Sequence, residues 1–585
     1  MKTTTLILLI CAVTLLVVFA AGAFVWAVFL VACLDVLGLC LSPIRSRPSL
    51  DMAYAAFLAF LLLTLVPLPL PVSRIGGPVR FAQNAQVAES LAAAADQGLI
   101  EPANPWFAVT RNRAGTMRGI VLAIAMFTAA LLAASLPEPQ KEAYLRFLVL
   151  TAGVLAIAGF VGQHLIRQGA TLWWVYPIRY GRTTVPTAAA CFINRNHFAG
   201  FLAMLSPAIL ALLVADIGRR RWAWAAASLT ALLAVCVAVT FSMSRGGAIA
   251  LLAGIGVTIV LFLLQKRWRT TLALAGLVAL MAAALLHFST PAVRARFATL
   301  GAVSETDSFK TRVTAWMDTA EMWRTYPIAG IGLNAFRAVF SQHRVTSERA
   351  LMTDAENEYI QTPAELGVAG MALLLVLFVA AALAASRALA ADRISPMLVV
   401  AAGAGLVVVV VHNGVDFCLR LPLYAVVFAS LVGLTLAAPP LGPENGACRP
   451  ILRRPGGSVA LLCVCVLAAL CPYMREMQRM DSDVALHQAK TQDLVRALAW
   501  APTYWYTWNA LGCRLADRGS REAVALGEHY VAVAAGYDPN NYRLWADLGK
   551  FRLSLRDNAG ARQAFARARQ LRPWLSLPPV PEDAR

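Results

Sequence analysis

Residues 224–264 read WAAASLTALLAVCVAVTFSMSRGGAIALLAGIGVTIVLFLL, two apolar runs, Trp224 to Phe241 and Ala248 to Leu264, flanking Ser244-Arg245-Gly246-Gly247. Each run is long enough to cross the hydrocarbon core of a bilayer as a helix. A cation held at membrane depth costs about 3 kcal/mol or more, so Arg245 either snorkels to the headgroups or serves a functional site. Gly246 and Gly247 beside it permit close backbone approach.

The rest of the chain repeats this pattern. Of its 585 residues 59% are hydrophobic and only 14% charged, with a mean hydropathy of +0.64, whereas soluble domains carry about 25% charged residues. The fold class expected is all-α, a polytopic helical membrane protein. Apolar runs near residues 5–22, 24–41, 53–71, 117–136, 147–164, 198–216, 223–241, 248–264, 271–287, 367–386, 396–412, 421–438 and 458–473 give about thirteen transmembrane helices. The first two form a hairpin or one long element. The first also resembles a signal peptide, with Lys2 and Ala-Gly-Ala at 21–23, and is read as a retained helix because a second apolar run follows at once.

The net charge of +19 comes mostly from loops between apolar runs, which speaks for topology and for anionic lipid or substrate, and against nucleic acid. The eleven Cys fall mainly inside apolar runs, as Cys11, Cys236 and Cys463 do, without metal or disulfide spacing. A Gly-rich loop ending in Gly-Lys-Ser/Thr is absent, so ATP-driven chemistry has no visible support; no cofactor is expected.

Short basic loops favour the cytoplasm. Threading from an inside N-terminus puts Arg45 and Arg47, Lys141 and Arg146, Arg219 to Arg221, Lys266 to Arg269, Arg387 and Arg393, and Arg449 to Arg454 on that side. The long loops at about 72–116, 165–197 and 288–366, and the C-terminal tail, then face outward. Trp173, Trp174, Tyr176 and Tyr180 in the second loop suit an interfacial aromatic belt or a sugar-stacking platform. In the tail, Trp508, Leu511 and Gly512 recur as Trp545, Leu548 and Gly549, and Pro502 recurs as Pro539, all at an offset of 37. The pattern is similar to tetratricopeptide helical hairpins. It predicts either a small solenoid that binds an envelope protein or a helical cap on the membrane domain.

Four outward constellations carry candidate chemistry. In Asn194-Arg195-Asn196-His197, polar groups lead into a helix whose N-terminus suits a phosphate. The others are Arg245 with its glycines; the 288–366 loop with Arg312, Pro327 to Phe336 and Glu356-Asn357; and His412-Asn413-Gly414-Val415-Asp416-Phe417.

These motifs, in this order, resemble the O-antigen ligase and Wzy-type polymerase superfamily over roughly 190–425. Asn194 to Gly200 is similar to its N-R-N-H-F-A-G form, Ser244 to Gly247 to S-R-G-G, and Pro327 to Phe336 to P-hydrophobic-G-x-G-x-N-x-F. The resemblance implies an inner-membrane glycosyltransferase. It takes glycan from an undecaprenyl diphosphate-linked donor to a glycan, lipid or protein acceptor at the periplasmic face, in O-antigen or exopolysaccharide biosynthesis, without a metal. Departure of a lipid diphosphate develops negative charge, which arginine forks stabilise. Arg195, Arg245 and Arg312 are therefore the expected diphosphate ligands, with Asn194, His197, Gly246, Gly247, Asn357 and Asp416 in support. Many ligases have histidine where this chain has Glu356, and His412 resembles the histidine of a His-Ser-x-x-Asp-Phe motif, so the base is Glu356 or His412.

The implied division is 1–190 N-terminal transmembrane region, 191–425 catalytic core with loop 288–366, 426–475 last transmembrane helices and 481–575 repeats. Polymerase, ligase to lipid A core and protein O-oligosaccharyltransferase share this donor chemistry. A membrane transporter and an envelope assembly scaffold are the competing classes; the near absence of acidic residues other than Asp35 in the spans argues against the transporter.

Overall fold

The computed structural model describes residues 2–19, 24–41, 47–165, 171–172, 176–177, 189–299, 307–345, 352–436, 457–480, 486 and 488–581. Arg45, Trp173, Trp174, Tyr180 and Arg449 to Arg454 lie outside them, as does the side chain of Tyr176. Apart from a two-residue antiparallel pairing of Thr171–Leu172 with Tyr176–Pro177, the regular structure is helical. The first half comprises α1 (Lys2–Val18), α2 (Val25–Leu41), α3 (Pro48–Leu65), α4 (Pro78–Asp96), α5 (Arg113–Ser135), α6 (Glu138–Leu165), α7 (Arg195–Gly218), α8 (Trp222–Phe241) and α9 (Arg245–Leu264). Then come α10 (Trp268–Phe288), α11 (Pro291–Ala298), α12 (Asp307–Thr325), α13 (Phe336–His343), α14 (Glu358–Ala390), α15 (Pro396–Asn413) and α16 (Pro422–Leu434). The chain continues through α17 (Gly457–Leu470), α18 (Met474–Arg479), α19 (Thr491–Trp500), α20 (Trp505–Ala516), α21 (Arg521–Tyr537), α22 (Tyr542–Ser554) and α23 (Asn558–Leu571).

Ten of the described helices are long and apolar enough to cross a membrane and three shorter apolar ones, α1, α2 and α16, accompany them. Together they coincide with the thirteen runs read from the sequence. This is a multi-pass α-helical membrane protein. The bundle centres on α7, which packs against α6, α8, α9 and α15. Small residues set these approaches, because apolar lipid gives helices little hydrophobic reason to associate and close packing has to supply it. A Cβ on Gly254 of α9 would stand 2.5 Å from Val408 of α15, and one on Gly405 of α15 would stand 2.8 Å from the Met204 carbonyl of α7. At the other end of the bundle from the site, Arg146 donates to both oxygens of buried Asp216, at 2.8 and 2.6 Å. That pair belongs to spans that begin or end further out than their apolar runs suggest.

α14 departs from expectation in a way that shapes the site. Its helical register starts at Glu358 rather than near 367, and it is broken at Gly367 (φ 62°, ψ −174°). A left-handed φ there suits glycine alone. The break exposes backbone groups that clasp the 327–336 segment: Ile331 N–H donates to the Ala364 carbonyl (3.0 Å), Gly332 N–H to Glu365 (2.9 Å) and Val368 N–H to Pro327 (2.8 Å). Gly330 and Gly332 also have positive φ, and a Cβ on Gly330 would lie 2.2 Å from the Glu365 carbonyl oxygen.

The C-terminal helices pair as α20 with α21 and α22 with α23. The internal repeat has one physical signature: the Trp508 indole donates to the Pro502 carbonyl (2.8 Å), and the Trp545 indole to Pro539 (2.9 Å). These helices lie against the outer loops of the membrane domain. The Tyr530 hydroxyl donates to the Ser90 carbonyl of α4 (2.8 Å), Tyr537 to Gln86 (2.9 Å), and Thr503 to Ala338 of α13 (3.0 Å). Arg344 pairs with buried Asp538 at 3.0 Å. Of the two readings of the tail, this geometry is that of a cap.

Candidate active site

Three helix ends converge at one end of the bundle. Asn194 caps α7, its side chain accepting from Asn196 N–H (2.9 Å), and Ser244 caps α9, accepting from Gly247 N–H (3.1 Å). Polar caps therefore fix both helices to begin on an arginine, Arg195 and Arg245, at the positive end of each helix dipole. The C-terminal end of α15 closes the third side with His412. Glycines make room for this meeting: a Cβ on Gly200 would stand 1.9 Å from the His412 ring, and one on Gly247 would stand 2.3 Å from Ala199. Gly200→Ala is expected to destabilise the protein by about 1–3 kcal/mol or displace His412, read as a lower thermal midpoint in detergent; an unchanged midpoint would deny the close contact.

The outer loop adds two more arginines. Arg195 and Arg245 are near enough to repel each other, Arg245 also feels Arg296 and Arg312, and Arg296 feels Arg195 and Arg312. Burial, with the guanidinium groups of Arg195 and Arg312, holds Arg296 below the usual arginine value. All four side chains are half-buried. Sequence reading missed Arg296, which looked like any loop arginine until α11 carried it beside the start of α9.

Glu356 faces this cluster through an ion pair with Arg312. It sits at φ 51°, uncommon for a residue with a side chain. The turn is held from both sides: the Trp316 indole donates to the Ala355 carbonyl (2.9 Å), and Asn357 Nδ2 donates to the Gly414 carbonyl (3.0 Å) while its oxygen caps α14. Glu356, Asn357 and the 412–416 turn are thus one unit. His412 is 1% exposed, with Nε2 3.2 Å from the Asn196 carbonyl and 3.7 Å from Asp416. His197 Nε2 lies 3.1 Å from Asp416 Oδ1 and its ring meets Phe417 edge-on at 4.7 Å. Burial alone would raise the Asp416 carboxyl, but His197, His412 and the Phe417 N–H together hold it below the usual range. His197, His412 and Asp416 form a buried buttress beneath the arginines, with Cys418 beside them.

A second network escaped the sequence reading. Arg420 is paired with Glu358 (3.1 Å) and Glu365 (2.7 Å), and lies 3.9 Å from Asp354. Gln361 bridges Asp354 (2.9 Å) and Glu365 (3.0 Å), and Glu365 also accepts from Asn334 N–H at 2.6 Å. Glu365 thereby ties α14 to the 327–336 segment. Burial pushes the Asp354 carboxyl up to about 6, with Arg420 and the Gln361 amide opposing and Glu365 adding to the rise. This network forms part of the wall of an elongated, mostly apolar cavity of about 980 Å³ between α3, α5, α14 and α16, whose lining also includes Ile193, next to Asn194.

The site is thus a concentration of positive charge at one end of a membrane bundle, with a carboxylate beside it and an apolar cavity nearby, a layout suited to an anionic, lipid-attached substrate. Residues 229–375, from α8 into α14, match the O-antigen ligase family, which supports a membrane enzyme of glycan assembly. The matched stretch contains Arg245, Arg296, Arg312, Glu356 and Asn357; Arg195 and His412 lie outside it. No curated protein matches the chain significantly.

Proposed function

We propose that this enzyme transfers or polymerises undecaprenyl diphosphate-linked glycan at the periplasmic face of the inner membrane, in O-antigen or exopolysaccharide biosynthesis. The observation that carries the proposal is the gathering of Arg195, Arg245, Arg296 and Arg312 around two capped helix N-termini. Backbone donors and planar forks of this kind suit a diphosphate. The isoprenoid tail lies in the 980 Å³ cavity, whose lining includes Ile193, two residues before Arg195.

The acceptor hydroxyl oxygen attacks the anomeric carbon, the bond from that carbon to the phosphate oxygen breaks, and the diphosphate leaves with the electron pair. Glu356 takes the hydroxyl proton, and direct displacement inverts the anomeric centre. Glu356 is the better placed base because it is 30% exposed beside the arginines, whereas His412 is buried against Gly200. His412 then acts by positioning α15 under α7. Glu356→Gln is expected to slow transfer by roughly 10²–10⁴-fold, measured with purified protein and a lipid diphosphate donor. A greater loss in His412→Gln at unchanged thermal stability would reverse the two roles. In the same assay a ladder of products identifies a polymerase, one added block a ligase to lipid, and glycan on a polypeptide acceptor a protein oligosaccharyltransferase.

A further inference from the structure

Between the membrane domain and its cap lies a chamber of about 580 Å³ that the reaction described above does not use. Its floor is one face of α4, Val79, Gln83 and Gln86, and its roof is one face of α21, ending in Gly536 and Tyr537. The ends of α12 and α13 close the sides with Tyr326, Gln342 and His343. Among the described residues no carboxylate, lysine or arginine lines it. Burial holds the His343 imidazole below its ordinary value despite the opposing charge of Glu321.

The polar lining consists of amides, phenols and one imidazole, the groups that pair with hydroxyls in both donor and acceptor senses. Several are already oriented: Gln83 Nε2 donates to the Tyr326 hydroxyl (2.9 Å), and the Tyr537 hydroxyl donates to Gln86 (2.9 Å). Amides and phenols at such a wall accept the hydroxyls of a sugar as further partners and are mismatched by an apolar ligand. The absence of fixed charge disfavours phosphates and acidic groups.

From these features we infer that the chamber is a binding site for neutral sugar residues of the glycan, remote from the reacting sugar. This rests on the glycosyl-transfer reading for the identity of the ligand. α12 separates the two sites: from Arg312 to Tyr326 the chain advances 14 residues, roughly 20 Å at helical rise. Only a glycan several units long reaches both places, so the chamber holds the distal part of a chain whose end is being extended or transferred.

Gly536 supplies the test, since a Cβ built there meets nothing within 4 Å and the residue is helical, where glycine is a poor choice for stability. Gly536→Phe fills the chamber without a clash at the backbone, and Gln342→Ala removes an amide side chain from its lining. The probe is the oligosaccharide released by mild acid from the host's lipid-linked donor, free of lipid and diphosphate, titrated calorimetrically into the full-length protein in detergent. Both variants are expected to bind it at least tenfold more weakly than wild type, at an unchanged thermal midpoint. Equal binding by wild type and both variants, or no binding by wild type, overturns the chamber as a sugar site and leaves the transfer reactions untouched. Binding lost in both variants, in a protein that transfers no glycan from the lipid donor, keeps the chamber and removes the proposed reaction instead.

Discussion

Arg245→Ala is expected to transfer glycan from a lipid diphosphate donor roughly 10²–10³-fold more slowly than wild type, the loss of about 3–4 kcal/mol of transition-state stabilisation typical of removing one preorganised donor. The argument turns on when the charge appears. In the ground state the diphosphate already carries charge, but the bridging oxygen gains more as the glycosidic bond breaks. A guanidinium fixed at a helix N-terminus meets that increment without reorganising. Arg245→Lys is expected to recover only part of the rate, because an ammonium supplies charge without a planar fork.

Stability separates this from a structural role. Arg245 is crowded by Arg296 and Arg312, so its removal relieves repulsion in the free enzyme, and the thermal midpoint in detergent should hold or rise while activity falls. Full activity in Arg245→Ala would overturn the assignment of the arginine cluster to the diphosphate.

The second large effect is expected from Arg420→Met. That arginine is the one cation paired with Asp354, Glu358 and Glu365 among the described residues, and Glu365 is fully buried. Removing one partner of a buried ion pair costs about 3–5 kcal/mol, because the remaining charge is left uncompensated. The pH dependence gives the effect a signature. Asp354 titrates near 6 in the folded protein, above its unfolded value of 3.8, so the fold binds the extra proton and wild-type stability from this group declines as pH rises from about 4 to about 6. Without Arg420 the carboxyl moves higher still, and the decline extends past pH 6. The deficit of the variant in a thermal melt should thus be larger at pH 8 than at pH 5; a deficit independent of pH would show that the arginine acts through packing alone.

The membrane architecture was legible because one local property, about twenty apolar residues in a row, suffices to define a span. Runs such as 198–216 and 396–412 needed no knowledge of their neighbours. The starts of α7 and α9 were legible to within a turn: the runs begin at 198 and 248, three residues after the Arg195 and Arg245 at which Asn194 and Ser244 cap the helices. Long-range charge pairing was not. Arg420 meets carboxylates 55 to 66 positions away, and Arg296 reads as an ordinary loop residue unless the position of α11 is known. The polar stretch 358–366 hides its helical character because it lacks apolar periodicity, and only Gly367 marks the break that lets it turn beneath the 327–336 segment. The fate of the tail was equally hidden: Ser90 and Tyr530 are 440 residues apart, and nothing near either one announces the other.

That last separation has a consequence for biogenesis. Chains emerge from the ribosome in order, and early segments organise first. α4 therefore leaves the membrane while the helix that will cover it has not been made. Gln86 and the Ser90 carbonyl, which accept from Tyr537 and Tyr530 in the finished protein, await partners that arrive only when residues near 530 have been synthesised and carried to the same side. A polypeptide arrested before α21 would leave this face of α4 uncovered, and is expected to be cleared by proteolysis rather than to persist as a partly working enzyme.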